Sequence, residues 1–180
     1  MKKGATYRVA LGGIITAAAI AIMFFGSIIP FATFASPAFA GFCVLYFCLE
    51  FNKPTALAVY LSISVLSVLL VPDKEQALLF VCVFGFYPIV KQLIEAKLKR
   101  VLAAIIKLLV FNASVVLLYY AVVRIFSLDI ILNELKGYAP WMVALMLLLG
   151  NVAFYFYDIL LTRVSFLYFA KIRPRLTRGR

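Results

Sequence analysis

Hydrophobic positions along this 180-residue chain fall into six long runs, separated by short polar or proline-containing segments. A helix needs about 20 apolar residues to cross the hydrocarbon core of a bilayer, and only the second run is clearly shorter than that. The pattern predicts an all-α integral membrane protein whose six transmembrane helices form one bundle, a single domain over residues 1–180. The predicted spans cover residues 9–29, 37–51, 55–71, 77–95, 101–123 and 141–166.

Two connections carry structure of their own in this prediction. The apolar segment between the first and second spans should dip into the membrane, buried against protein, because the second span is short. In the longest connection, apolar and polar residues alternate at helical spacing, which predicts a short helix in the membrane interface over residues 125–136. Trp141 follows it, where an aromatic anchor is expected.

Basic residues determine the expected orientation. The chain has 18 Lys and Arg against 7 Asp and Glu, and the basic residues concentrate at both termini and between Lys91 and Arg100. Cytoplasmic loops of membrane proteins carry such an excess, so both termini are predicted to be cytoplasmic. The same residues suit anionic lipids. They are not gathered on a folded polar surface, and we therefore expect no nucleic-acid partner.

Small residues follow one another at intervals of four in the first span, at Gly13, Ala17 and Ala21. Such a stripe lets another helix backbone approach closely. The sequence leaves two interpretations open: the stripe packs within the bundle, or it docks a separate subunit.

Polar side chains inside the apolar runs are the candidate functional residues, since ionisable groups within a membrane are costly and commonly functional. Asn151 and Asp158 are seven residues apart, so on a helix they share one face, about 10 Å apart. Other helices must cover that face. The hypothesis is one polar cluster in the cytoplasmic half of the bundle, structural or functional, formed by Glu50, Lys91, Lys107, Asn112, Asn151 and Asp158.

Three of these residues have alternative interpretations. Lys107 either extends its side chain to the cytoplasmic interface or pairs with Asp158 at a similar depth. Glu50 is either an interfacial carboxylate or part of the cluster. Lys91 forms an i, i+4 pair with Glu95, which at a solvated helix end is worth only tenths of a kcal/mol. The pair is of interest because it follows Pro88, which should kink the fourth span.

Catalytic signatures are missing from the sequence. The chain contains no histidine, and Cys43, Cys48 and Cys82 lie in apolar runs, where we interpret them as packing residues. No phosphate-binding glycine loop, nucleophile elbow or acidic cluster is present. We therefore expect no catalytic residue, no metal site, no cofactor and no enzymatic activity. ATP hydrolysis would have to come from a partner.

The whole chain resembles the S components of energy-coupling factor (ECF) transporters. The resemblance is carried by the length, the six predicted spans and Thr16-Ala17-Ala18-Ala19-Ile20-Ala21 near the start of the first span. Within that group it is most similar to short six-span bacterial membrane proteins with matching stretches. These are Pro-Asp-Lys-Glu at 72–75, Tyr-Pro-x-x-Lys at 87–91, Phe-Asn at 111–112 and Gly-Asn at 150–151.

The resemblance implies a substrate-capture subunit in the bacterial plasma (inner) membrane. It would bind a vitamin, a cofactor precursor or a trace metal and dock a membrane-embedded T subunit through Ala17 and Ala21, while two ABC ATPases hydrolyse ATP. Two alternatives remain: a non-transporting scaffold or accessory subunit of a larger complex, and a lipid-handling membrane protein. The importer predicts a closed pocket in the outer half, and the scaffold predicts an exposed small-residue face.

Overall fold

A computed structural model describes residues 4–29, 32–124 and 140–173, and within these ranges the chain is helical, with short turns and no strand. The α-helices in the described ranges are α1 (Ala5–Gly26), α2 (Ala35–Glu50), α3 (Lys53–Leu70), α4 (Lys74–Leu79), α5 (Tyr87–Lys97), α6 (Arg100–Arg124) and α7 (Pro140–Leu167). A π-helical segment, Phe80–Phe84, separates α4 from α5, and a π-helical turn, Tyr168–Ile172, follows α7.

Among the described residues, five helices are long and apolar enough to cross a membrane, as expected of a multi-pass membrane protein, when α4, the π-helical segment and α5 are counted as one helix. They are Ala5–Gly26, Lys53–Leu70, Lys74–Lys97, Arg100–Val122 and Trp141–Lys171. The apolar helix α2 is shorter, with 16 residues. The all-helical class is therefore confirmed for the described residues. A sixth crossing by α2 and the cytoplasmic termini stay predictions, and the predicted interfacial helix at 125–136 lies outside the described residues.

Short polar turns reverse the chain between the helices of the first part. The side chain of Asn52 accepts a hydrogen bond from the Thr55 amide at 3.1 Å and caps α3. Asp73 caps α4 by accepting from the amides of Glu75 and Gln76 at 3.0 and 3.2 Å. These side chains satisfy amides that have no partner inside their own helices.

The fourth predicted span is interrupted upstream of its proline. The π segment ends where the Gly85 amide donates to the Phe80 carbonyl at 2.7 Å, and Pro88 lies in the first turn of α5. Proline is tolerated in a first turn, whereas inside a continuous helix its ring would clash with the carbonyl four residues earlier. The helix is thus interrupted in the turn that precedes Pro88 rather than at the proline itself. The Tyr60 hydroxyl donates to the Val81 carbonyl of the π segment at 2.9 Å.

The chain divides into two compact units, Met1–Glu134 and Leu135–Arg180. The first unit holds α1 to α6, and its core contains four fully buried alanines, Ala19, Ala40, Ala56 and Ala77, one each from α1 to α4. Small core residues let these helices approach closely. The second unit holds α7, on which Phe154, Tyr157 and Leu161 are buried. The single-domain organisation stays a prediction.

Successive helices of the first unit run in opposite directions when α4, the π-helical segment and α5 are counted as one helix, so their termini gather at two ends. Arg8, Lys53, Lys97, Lys99 and Arg100 lie at the end where α1, α3 and α6 begin, which we call the basic end. The opposite end contains the last turn of α1 and the first turns of α2 and α4.

Candidate functional site

An open groove of about 1270 Å³ runs between α1 and α3 on the surface of the first unit. It reaches from Arg8 and Asn52 at the basic end to Phe25 and Leu70 at the opposite end. Its lining is mostly apolar, and we call it the α1–α3 groove. The residues that line it between these ends include Gly12, Gly13, Thr16, Ala17, Ile20, Ala21, Ala58, Val59, Ser62 and Leu66.

Both walls of the α1–α3 groove carry exposed small residues. Gly13, Ala17 and Ala21 form the α1 wall, and Ala58 and Ser62 face the groove from α3. A side-chain carbon added at Gly13 would meet no atom within 4 Å, so the stripe lies against open space. The Ser62 hydroxyl donates to the Ala58 carbonyl of its own helix at 2.9 Å. The Ser62 hydroxyl is therefore satisfied within α3 and does not require a polar partner in the groove.

A second set of small residues packs α1 into the bundle. Ala19 and Gly26 are buried and do not line the groove, whereas Gly12 and Thr16 are buried at the base of the groove, where Gly12 lies under Val59 of α3. Gly13, Ala17 and Ala21 are therefore not the residues that pack α1 inside the first unit. Docking of a separate subunit stays a prediction for this exposed stripe.

Three charged side chains meet near the basic end, where α5 lies against α6. Lys91 and Lys107 both donate to the same carboxylate oxygen of Glu95, at 2.9 and 3.0 Å. The side chains of Lys91 and Lys107 are only 3% and 11% exposed, whereas that of Glu95 is 42% exposed. We call this group the α5–α6 cluster. Its geometry joins two buried ammonium groups through one accessible carboxylate.

The α5–α6 cluster bears on two of the interpretations offered by the sequence. Lys107 is buried and bonded to Glu95, and extension of its side chain to the cytoplasmic interface stays a prediction. Lys91 is buried as well, so its pair with Glu95 is not a solvated surface pair. The physical reason is that α6 packs along the face of α5 that carries Lys91. Pairing of Lys107 with Asp158, which belongs to the second unit, stays a prediction.

The remaining predicted cluster residues lie on three helices. Glu50 is the last residue of α2 and is half-buried. Asn112 on α6 and Asn151 on α7 each donate a side-chain amide to the carbonyl four residues earlier in their own helix, at 2.8 Å. Asp158 on α7 is half-buried, and its backbone carbonyl accepts from the Thr162 hydroxyl. Of the six predicted residues, the described contacts join Lys91 and Lys107, through Glu95.

The opposite end contains a buried polar network that the sequence did not reveal. Gln76 is fully buried; its amide donates to the Ser36 hydroxyl, and its carbonyl oxygen accepts from Ser27 at 2.7 Å. Ser36 donates in turn to the Ala32 carbonyl at 2.7 Å. A side-chain carbon on Gly26 would lie 2.8 Å from the Gln76 amide nitrogen and closer still to Ser36. The network thus links α1, α2 and α4 and requires glycine at position 26.

Sequence reasoning missed the burial of Gln76 and Ser27 and the bond between Glu95 and Lys107, for different reasons. Gln76 and Ser27 lie at predicted span ends, where polar residues usually meet headgroups or water. Their burial depends on the contact between α1, α2 and α4, and a local sequence pattern does not predict such a contact. Glu95 was recognised as a partner of Lys91, but its bond to Lys107 joins residues twelve positions apart.

The described ranges bring together no group of three histidine, cysteine or acidic side chains able to hold a metal ion, and the cysteines in them are free thiols. Two features could bind a partner or a ligand: the apolar groove lined by small residues and the cluster of buried cations. In comparisons with known proteins, no protein-family model matches the chain, and neither a curated protein nor a solved structure is significantly similar to it.

Proposed function

We propose that this chain is a multi-pass membrane subunit that docks a transmembrane helix of a partner protein in the α1–α3 groove. The observation that carries the proposal is the exposure of small residues on both walls, Gly13, Ala17 and Ala21 on α1 and Ala58 and Ser62 on α3. Helices in a membrane gain little from the hydrophobic effect and associate through close packing at small residues. Lipid tails need no such surface.

The length of the groove favours a helix as its occupant. From Arg8 to Phe25 the α1 wall rises about 26 Å, at 1.5 Å per residue. This is close to the roughly 30 Å hydrocarbon core, whereas an acyl chain belongs to one leaflet and covers about half of it. An occupant that fills the groove from end to end is therefore the length of a transmembrane helix.

The first candidate for the partner is the T subunit of an ECF importer, with two ABC ATPases bound to it. The chain would then be a substrate-capture subunit of the bacterial plasma membrane, with both termini and the basic end in the cytoplasm, as its positive charge favours. Its cargo would be a small molecule such as a vitamin, a cofactor precursor or a trace metal ion. The support for this candidate is the resemblance carried by Thr16 to Ala21, two of whose alanines line the groove.

The second candidate is a scaffold or accessory subunit that docks a partner but carries no substrate. The buried network at the opposite end favours it, because Ser27, Ser36 and Gln76 bond to one another instead of lining an open cavity. A substrate that bound there would have to replace those bonds. A lipid-handling protein is the third candidate, and it would retain lipid rather than a protein partner.

Affinity purification from native membranes in a mild detergent tests the proposal. The variant Ala17→Trp fills the groove, and the matched control Ala18→Trp places the same side chain on an exposed position outside it. Co-purification of a T subunit and two ABC ATPases with the parent and with Ala18→Trp, but not with Ala17→Trp, is the result expected of an importer.

Other results separate the remaining candidates. A different membrane protein that is lost only with Ala17→Trp would support the scaffold. Bound lipid without any protein partner would favour lipid handling. Equal recovery of every partner with Ala17→Trp and Ala18→Trp would contradict docking in the groove.

A further inference from the structure

We infer that the α5–α6 cluster is a binding site for a phosphate-type oxyanion, in which Glu95 occupies the position of the ligand while the site is unliganded. The inference is independent of the docking proposal, because none of the cluster residues lines the α1–α3 groove. Its basis is the convergence of Lys91 and Lys107 on one oxygen of one accessible side chain.

The two lysines form the fixed part of the site. Their side chains are almost fully buried on two different helices, and each directs its ammonium group to the Glu95 Oε1 atom. Burial of an ammonium group is costly unless it is bonded to an acceptor, so these groups hold an anionic oxygen firmly. An oxyanion with several oxygens can accept from both lysines at once.

Glu95 is the exchangeable part of the site. Its side chain is 42% exposed, so its carboxylate can turn into solvent and recover its hydration when another anion takes its place. The bonds that it gives up are those that the incoming ligand accepts.

Gln92 adds a donor that is not used by the described residues. Its amide nitrogen is buried and has no hydrogen-bond partner among them. On α5 it follows Lys91 directly and precedes Glu95 by three positions, which makes it a surface neighbour of Glu95 on the helix. A buried donor without an acceptor is costly, and an anion beside Lys91 would supply one.

Exposed cations lie where the ligand would enter. Lys97, Lys99 and Arg100 surround the turn from α5 to α6, and all three are exposed. Such a group raises the local concentration of anions before they reach the buried lysines. The ligand class is therefore a phosphate group, either the headgroup of an anionic lipid or a free phosphate from solution.

The site is tested by measuring ligand binding to the purified chain in detergent. Two probes distinguish a free phosphate from the headgroup of an anionic lipid. One probe is inorganic phosphate, followed by the shift in thermal unfolding midpoint. The other is phosphatidylglycerol, or phosphatidylcholine as the control without net charge, added in the same detergent, followed by retained lipid in native mass spectrometry. Saturable binding of either probe is expected; preference for phosphate identifies a soluble ligand, and preference for phosphatidylglycerol identifies a lipid.

Three variants make the test specific. Glu95→Gln removes the competing carboxylate and should strengthen anion binding about tenfold or more, because a charged acceptor no longer occupies the lysines. Lys107→Gln should weaken it by a similar factor. The control Lys99→Gln removes an exposed charge at the entrance and should change the affinity less than about threefold, since exposed charges are screened.

The inference fails if neither probe binds the parent with saturation, even where Glu95→Gln binds one of them, because the pair would then be structural. It also fails if Glu95→Gln leaves the affinity unchanged, because the carboxylate would then not occupy the position of the ligand, or if Lys99→Gln weakens binding as much as Lys107→Gln does. Glu95→Gln keeps both lysines, so the test stands even if Lys107→Gln does not fold.

Discussion

The two faces of α1 are lined with the same kinds of residue but have different surroundings. On the inner face, Ala19 and Gly26 are covered by other helices of the first unit. On the outer face, Gly13, Ala17 and Ala21 line the open groove against α3. Small residues at helical spacing therefore indicate that a backbone can approach closely, but they do not indicate which backbone does. The inner face determines the stability of the bundle, whereas the outer face is available for assembly.

The largest effect is expected at Gly26 on the inner face. In Gly26→Ala the new carbon would collide with the Ser36 side chain and lie 2.8 Å from the Gln76 amide nitrogen, so the buried network has to open. We expect a loss of about 2 to 3 kcal/mol of stability from strain and broken hydrogen bonds. Thermal unfolding in detergent measures it. The control is Gly13→Ala, whose added methyl group meets open space; an equal loss in both variants would remove the distinction between the faces.

A smaller loss is expected when the same network loses its central side chain. Gln76→Leu keeps the volume similar but leaves Ser27 and Ser36 without the bonds that Gln76 supplies at the meeting point of three helices. The expected loss is about 1 to 2 kcal/mol, measured by the same unfolding experiment. Ser62→Ala, which removes an exposed hydroxyl bonded only within its own helix, is the control and should be nearly neutral. A neutral Gln76→Leu would contradict a structural role for the network.

Gly12→Ala sharpens the comparison, because Gly12 is buried at the base of the groove but has room for a side-chain carbon. The added carbon would lie 3.6 Å from Val59 Cγ2, an ordinary contact distance. Alanine is also the better helix former, by up to about 1 kcal/mol. We therefore expect unchanged or slightly increased stability. A loss comparable to that of Gly26→Ala would show that burial alone, rather than the space around each glycine, determines the response.

The smallest effect on stability is expected on the outer face. Ala17→Trp and Ala18→Trp both add a large side chain to an exposed position, and each should change the unfolding free energy by less than about 0.5 kcal/mol. The two variants should differ in assembly, since Ala17 alone of the pair lines the groove. Destabilisation by Ala17→Trp but not by Ala18→Trp would mean that the groove closes within the chain.

Local patterns in the sequence predicted the helices well, because a long apolar run with a capping residue at its start has few alternatives. Asn52 and Asp73 are such caps, and both bond to amides in the first turn of the following helix. Pro88 predicted an interruption of the fourth span. The position of the break depends on Gly85 and on the close approach of Phe80 to it, and the helix propensities of single residues do not include such a contact.

The candidate sites were predictable only as far as their residues act within one helix. The Gly13, Ala17 and Ala21 stripe could be recognised, whereas its exposure depended on which face of α1 the other helices cover. Lys107 stood out as a charge in an apolar run, yet its partner Glu95 comes from the preceding helix. The bonds of Gln76 to Ser27 and Ser36 join positions 49 and 40 residues apart. Such contacts follow from the packing of the helices rather than from spacing along the chain.

Photo-crosslinking in native membranes tests the central claim most directly. A photoreactive amino acid placed at position 17, or at position 18 as the control, reports what contacts each site of the full-length chain without prior solubilisation. The account predicts a discrete crosslink to a membrane protein from position 17 that is absent from position 18, with the crosslinked peptide in a transmembrane helix of that protein. Crosslinks to lipid alone from both positions, or the same protein adduct from each, would contradict docking in the α1–α3 groove.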